Sequence, residues 1–470
     1  MSVVIELNDR AFAIARDGKL LEASPSVVRA AAAREGRVGE PMQGRERLVP
    51  TEVSTEHWLH LAQQQGTRDI ALETLHAELL ARLARAQVNA GTAVEVLTAA
   101  PFDVRALAPV LALLASAGIE VRAFRDAAVI TAAALNLPGD ALVMELGLHH
   151  TAVTRVSRNA TQFRRNGQRL SQQHGGLIEL QQQWLVLAAQ ALVLRTRFDP
   201  LHEARSEQAL YAALPAALTN AATEGRTVLR IAGPAGAELQ VELTRDQLAL
   251  PVQPFMRTNL NLLHSMRPAG ASLSLVLPKA LLQLPGTDGL LAEFSGCELL
   301  AIPDGFAAMA LSAALSRGTL AGGAPAADGA VPLLRRLEQA MPFDAVPVPR
   351  SRIGVSTPTA APTHLLHAGT ALVLGQAPLE IGRAAGGDHP LMLPEGLAGV
   401  SRRHCTIYRD GTHVVVVDHS RYGSFVNGER VAGRAILRAG DVLRVGDPGV
   451  ALSLIAVGVA ATALPVAPVN

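Results

Sequence analysis

Arg383, Ser401 and Arg402 are residue types that hold phosphate. Arginine presents a planar fork of N–H donors that matches phosphate oxygens. Serine adds a hydroxyl donor, and the second arginine adds charge. They belong to an ordered series: Gly382-Arg383, Ser401-Arg402-Arg403-His404, Asp418-His419-Ser420, Gly423-Ser424-Phe425-Val426-Asn427-Gly428 and Gly440-Asp441. Gly382, Gly423 and Gly428 permit turns tight enough to bring side chains from separate segments together. The chemistry this predicts is anion recognition; no catalytic residue and no metal-ligand set is assigned.

The elements around these residues are short. β-Branched runs at 372–374, 405–408, 414–417, 424–426 and 442–445 alternate with Gly and Asp turns. Many short strands with turn signals between them predict an all-β sandwich or barrel from about Thr363. Residues at strand ends then gather on one loop face.

In order and spacing this series resembles the forkhead-associated (FHA) family over about 363–457. The resemblance implies phosphothreonine binding, with Arg383 and Ser401 on the phosphate and Arg402 on the peptide. His404 is then structural and braces the loop, and Asn427 organises the loop backbone, with Gly382, Gly423 and Gly428 as structural glycines. One position departs. Many members carry Asn where this chain has Tyr422, preceded by Arg421. Tyrosine lacks the paired amide donor and acceptor of asparagine, and Arg421 is the candidate to compensate by contacting phosphate or an acidic residue. Arg403 is expected to be solvated, and His389 and His413 to have no specific role.

Upstream, strands and helices alternate. Residues 2–7 and 11–15 read as strands around a turn at Asn8-Asp9. Helices are expected at 70–87, 105–117 and 127–135, strands at 94–99 and 121–124, and a hairpin at 141–146 with 151–156. This predicts an α/β domain. Several phrases, among them Ala23-Ser24-Pro25-Ser26-Val27-Val28, His174-Gly175-Gly176, Leu243-Thr244-Arg245-Asp246-Gln247-Leu248 and Ala301-Ile302-Pro303-Asp304-Gly305-Phe306, are similar in order to the nucleotide-binding domain of DnaK-type heat-shock chaperones. That resemblance implies the two-lobed actin-like ATPase fold.

Its nucleotide chemistry is not matched. Where the family has glycines and hydroxyls in its first phosphate loop, this chain has Glu6-Leu7-Asn8-Asp9-Arg10. In the second it has Glu145-Leu146-Gly147-Leu148-His149-His150-Thr151, keeping only Gly147 and Thr151. Leu277-Pro278 replaces an adenosine-binding Gly-Gly, no lysine occurs at 55–61, and the Glu-Pro-Thr turn expected near Asp126 is absent. Side chains at former glycines occupy phosphate space. Glu6 and Glu145 are the pair able to hold Mg²⁺ through water, but are expected to be solvated carboxylates. Adjacent His149 and His150 point to opposite faces of a strand, against a metal site. The expectation is a pseudo-ATPase, not an enzyme and without a cofactor; ATP with Mg²⁺ belongs to the alternative.

The organisation expected is an α/β (pseudo)ATPase domain at 1–317, a Gly/Ala/Pro-rich linker at 318–362 with a short helix at 331–341, the FHA domain at 363–457 and a tail at 458–470. The 42 basic and 41 acidic side chains nearly cancel, so no global field favours nucleic acid or an anionic membrane. No uninterrupted apolar run reaches membrane-spanning length, and the first residues lack signal-peptide order. Two distant cysteines, Cys297 and Cys405, suit a reducing cytoplasm. The function expected is a phosphothreonine-dependent adaptor on a chaperone-like scaffold, its partner a phosphothreonine-containing protein such as a Ser/Thr-kinase substrate. Alternatives are an active nucleotide-gated ATPase and a phosphate-independent assembly protein. Arg350-Ser351-Arg352 before Ser356-Thr357-Pro358-Thr359 would suit a kinase, though Ser/Thr/Pro runs are ordinary linker composition.

Overall fold

The computed structural model describes residues 2–455 apart from 11, 35, 64–68, 101, 103, 168, 174, 234–235, 269–272, 354–360, 368–369, 388–389, 412, 440 and 448. Gly440, His174, His389, the hydroxyl residues 356, 357 and 359 and the tail 458–470 therefore lie outside the described residues. The chain divides into two compact units. The first comprises Met1–Leu262, Ser272–Leu290 and Cys297–Arg352; the second comprises Leu263–Ala271, Leu291–Gly296 and Ile353–Asn470.

The first unit is built on two mixed sheets. In the six-stranded sheet the order is Leu333–Leu334, Glu120–Asp126, Ala93–Thr98, Val3–Leu7, Phe12–Arg16, Lys19–Ser24. Val3–Leu7 pairs parallel with Ala93–Thr98 and antiparallel with Phe12–Arg16. In the eight-stranded sheet Asp140–Leu146 pairs antiparallel with His150–Asn159 and parallel with Leu273–Pro278, which runs parallel with Cys297–Ile302. Both sheets therefore repeat one plan. Three consecutive antiparallel strands are followed by two that add in parallel on the side of the first.

Alternation along a strand explains the core. Val3, Ile5 and Leu7 pack with Trp58, Leu75, Leu79 and Leu114 on one face. Val4 points the other way, into a cluster with the helices Ala127–Ala134 and Phe306–Ser316. The helix Leu177–Thr196 is long and apolar enough by composition to cross a membrane. In the structure Leu180, Trp184, Leu185, Ala188 and Leu192 are buried, and Trp184 Nε1 donates to Leu248 O at 2.8 Å.

The expected linker is a correction. Residues 331–341 form no helix. Leu333–Leu334 pairs parallel with Glu120–Asp126, and Arg336–Leu337 pairs antiparallel with Gln162–Arg165. Leu337, Met341 and Phe343 are buried in the core of the first unit. A Gly/Pro-rich segment has no period of its own, but three apolar side chains that find a core are enough to fix it as a strap.

In the second unit two antiparallel-rich sheets form a sandwich. One runs Thr370–Val373, His364–His367, Val450–Ile455, Val442–Val445, Ser424–Val426, Glu429–Arg430; the other runs Pro390–Met392, Leu379–Gly382, Cys405–Asp410, His413–Asp418, Arg434–Leu437. Leu379, Ile381, Cys405, Ile407, Val414, Leu443, Leu452 and Leu454 fill the space between them. Both cysteines are buried and neither forms a disulfide.

Candidate functional site

The turns that carry Arg383, Ser401 and Arg421 meet at one end of the sandwich. The Arg383 N–H donates to Ser401 O at 3.1 Å, and the Ala384 N–H donates to Arg402 O at 2.8 Å. Gly382 is required here: a side-chain carbon at this position would stand 2.1 Å from Arg402 O. The Arg383 guanidinium is aimed by the backbone. Its Nε donates to Val400 O at 2.7 Å and its Nη1 to Glu395 O at 3.0 Å. That leaves Nη2 without a partner among the described residues.

Ser401 is held from two sides. Its backbone N–H donates to His404 Nδ1 at 3.0 Å, and its Oγ accepts from the Arg421 N–H at 3.1 Å. A hydroxyl that accepts an N–H keeps its own proton free to donate to a ligand. Arg402 and Tyr422 are exposed, as is Arg421. Arg403 is exposed, as expected, and pairs with Glu380 at 2.7 Å.

Beneath this surface the supports are buried. His404 is fully buried and its Nε2 donates to Gly423 O at 3.1 Å. Asp418 Oδ1 accepts from the Ser420 N–H at 3.1 Å and the Ser424 hydroxyl at 2.9 Å. Asn427 Nδ2 donates to Asp441 Oδ1 at 2.8 Å, and Asn427 Oδ1 accepts from the Val442 N–H at 3.0 Å. Gly428 is buried in the turn that follows. Asp418, Ser420 and Ser424 were not assigned roles from sequence; their signal is their place beside the Gly423 turn, where short polar side chains bond backbone.

Burial holds the His404 imidazole below its ordinary range, outweighing Gly423 O and Asp418. A base depressed in the folded state gives full stability above its unfolded value, about pH 6.5, and loses it as pH falls below that value. His404→Ala is expected to cost about 1–3 kcal/mol for its two hydrogen bonds. It should also flatten part of the acid limb, which thermal melts of the full chain at about pH 5 and pH 7 measure.

The first unit has a cleft lined by Glu6, Asn8, Arg10, Glu145, Pro278 and Asp304, among others. Its second loop is arranged around a carboxylate. Asp9 is fully buried; its Oδ1 accepts from the Leu148 N–H at 3.1 Å and its Oδ2 from the His149 N–H at 3.2 Å. His150 Nδ1 lies 3.3 Å from Asp9 Oδ2, and its Nε2 donates to Ala100 O at 2.8 Å. At Gly147 a side-chain carbon would fall 2.3 Å from Asp9 Oδ1. Asp9 thus occupies these two loop amides.

The remaining loop residues are committed or acidic. The Thr151 hydroxyl donates to Asn259 Oδ1 at 2.7 Å, and Asn8 Oδ1 accepts from the Arg10 N–H at 2.9 Å. Arg10 pairs with Asp304. Glu145 is buried rather than solvated: its Oε2 accepts from the Ala100 N–H at 2.6 Å, and Arg169 stands 3.7 Å from Oε1. Burial raises the Glu145 carboxyl. Burial, then the charge of Glu145, pushes Glu6 up to about 7. Two carboxyls with raised pKa thus line this cleft. His149 donates from Nε2 to Thr55 O at 3.0 Å, so the two histidines diverge. Among the described residues no group of three or more His, Cys, Asp or Glu could hold a metal ion.

No curated protein matches the chain. Residues 379–446 match the family model of the FHA domain. The chain therefore carries an FHA domain there, in the sandwich whose loops hold Arg383 and Ser401, and FHA domains bind phosphothreonine-containing proteins.

Proposed function

We propose that the chain is a phosphothreonine-reading adaptor, in which Arg383 and Ser401 grip the phosphate and the first unit is a scaffold that does not turn over nucleotide. The observation that carries the reading is the preset grip. Arg383 is aimed by two backbone carbonyls, and Ser401 is braced through His404 with its hydroxyl proton unspent. Little conformational freedom remains to be lost when a phosphate arrives. Two charge-assisted bonds to a dianion then supply affinity.

The scaffold reading is supported by the plan common to both sheets, which suits the two lobes of an actin-like or DnaK-like fold. Loss of catalysis is supported by Asp9 on the loop amides and by the acidic cleft. On this account the protein is a cytoplasmic, non-enzymatic binding protein that needs no cofactor. The test is calorimetry of the full chain against two titrants. A peptide pool with a fixed central phosphothreonine is expected to bind, and ATP with Mg²⁺ to give neither binding heat nor turnover. Turnover would restore the ATPase alternative. Equal binding of the unphosphorylated pool would favour phosphate-independent assembly.

A further inference from the structure

We infer that this site selects an acidic segment, one with aspartate, glutamate or a second phosphate beside the phosphothreonine, and that Arg421 is its reader. The inference rests on the proposed phosphothreonine function and adds the class of partner.

Arg421 sits one residue from the phosphate grip, because its own N–H is the donor to Ser401 Oγ at 3.1 Å. Its side chain is exposed, as are those of Arg402, directly after Ser401, and Arg430. Arg430 stands opposite Phe425 in the hairpin that follows. Its Nε lies 2.8 Å from where a side-chain carbon on Gly423 would sit, which brings it to the same turn. None of these three guanidinium groups has a hydrogen-bond or ion-pair partner among the described residues.

Of the carboxylates nearby, Glu395 and Glu429 are exposed, and four others are engaged. Glu380 is paired with Arg403 at 2.7 Å, and Asp447 with Arg444 at 2.9 Å. Asp418 accepts from Ser420 and Ser424, and Asp441 from Asn427 and Arg438. The site therefore presents three unspent cations around a phosphate grip, in a chain whose formal net charge is only +1. The concentration of charge is local to these turns. Complementary charge of this kind confers specificity and speeds association. Arginine reads carboxylate and phosphate alike, through its fork of donors. Where an amide would bond the peptide backbone and be indifferent to its charge, Arg421-Tyr422 shifts discrimination onto side-chain charge.

The experiment titrates the full chain with two peptide pools that share a fixed phosphothreonine. One has flanks drawn from Asp and Glu, the other from Asn and Gln, which match them in shape. The acidic pool is expected to bind at least about threefold tighter, the scale of an exposed but well-placed ion pair. Arg421→Ala should weaken the acidic pool more than the neutral pool, which removes most of that difference, and added salt should shrink it. Equal affinity for the two pools, or an equal loss for both in Arg421→Ala, overturns the acidic selection while phosphothreonine binding stands. If neither phosphorylated pool binds, the phosphothreonine reading fails and this inference falls with it.

Discussion

Arg383→Ala is expected to weaken phosphothreonine-peptide binding by about 2–4 kcal/mol, the usual cost of removing one partner from a desolvated, hydrogen-bonded charge pair. That is about thirtyfold or more in affinity. The guanidinium sits on Val400 O and Glu395 O, so its removal also frees two loop carbonyls. Glu395 is exposed and water can replace its bond, while Val400 is buried, so the melting temperature of the full chain should fall by the cost of about one hydrogen bond. Arg383→Lys should not rescue binding: an ammonium cannot span both carbonyls and also present a planar edge to phosphate. Isothermal titration with one phosphothreonine peptide separates these outcomes. Unchanged affinity in Arg383→Ala would remove this residue from the grip.

The second large effect is on stability, in the first unit. Glu78 is buried and accepts from five groups: Ser26 Oγ at 2.9 Å, His57 Nε2 at 2.6 Å, Trp58 Nε1 at 2.7 Å, and Arg82 Nε and Nη2 at 2.9 and 2.6 Å. Burial opposes its charge, but Arg82 and His57 outweigh that and hold the carboxyl well below the usual carboxylate range. Glu78→Ala leaves buried Arg82 with Glu22 as its one carboxylate among the described residues and takes an acceptor from His57 and Trp58, and is expected to cost about 3–5 kcal/mol. The stabilisation from Glu78 is complete above its unfolded value, about pH 4.3, and is lost as pH falls below it. Thermal unfolding of the full chain at neutral pH measures the loss, and the wild type should approach the variant as the solution is acidified. Buried on the helix Asp69–Arg85 and its neighbours, this cluster of Ser26, His57 and Glu78 is structural despite its triad-like composition.

The sandwich was legible because its signals are local. Glycines at fixed turns, an Arg and a Ser at strand ends and short β-branched runs each report on their own few residues, and the strands 405–410, 413–418 and 442–445 follow them. What was illegible is non-local. Asp9 and the Leu148 amide it occupies are 139 positions apart, so the sequence shows an acid in a loop but not what it fills. Glu145 reads as a solvated strand-end carboxylate until the Ala100 N–H and Arg169 are placed beside it. The strap misleads for the opposite reason. Its Gly, Ala and Pro content is that of a linker, while Leu337, Met341 and Phe343 find their partners in a core assembled from distant segments. Composition reports what a segment does alone, and here the segment is never alone.

The account stands most directly on one measurement: the affinity of the full chain for a phosphothreonine peptide recovered from an oriented pool, before and after phosphatase treatment of that peptide. The structure places a preset arginine and an unspent serine hydroxyl at the loop end of the FHA domain, so dephosphorylation is predicted to abolish binding. Binding that survives phosphatase undiminished would contradict the account and make this a phosphate-independent assembly surface.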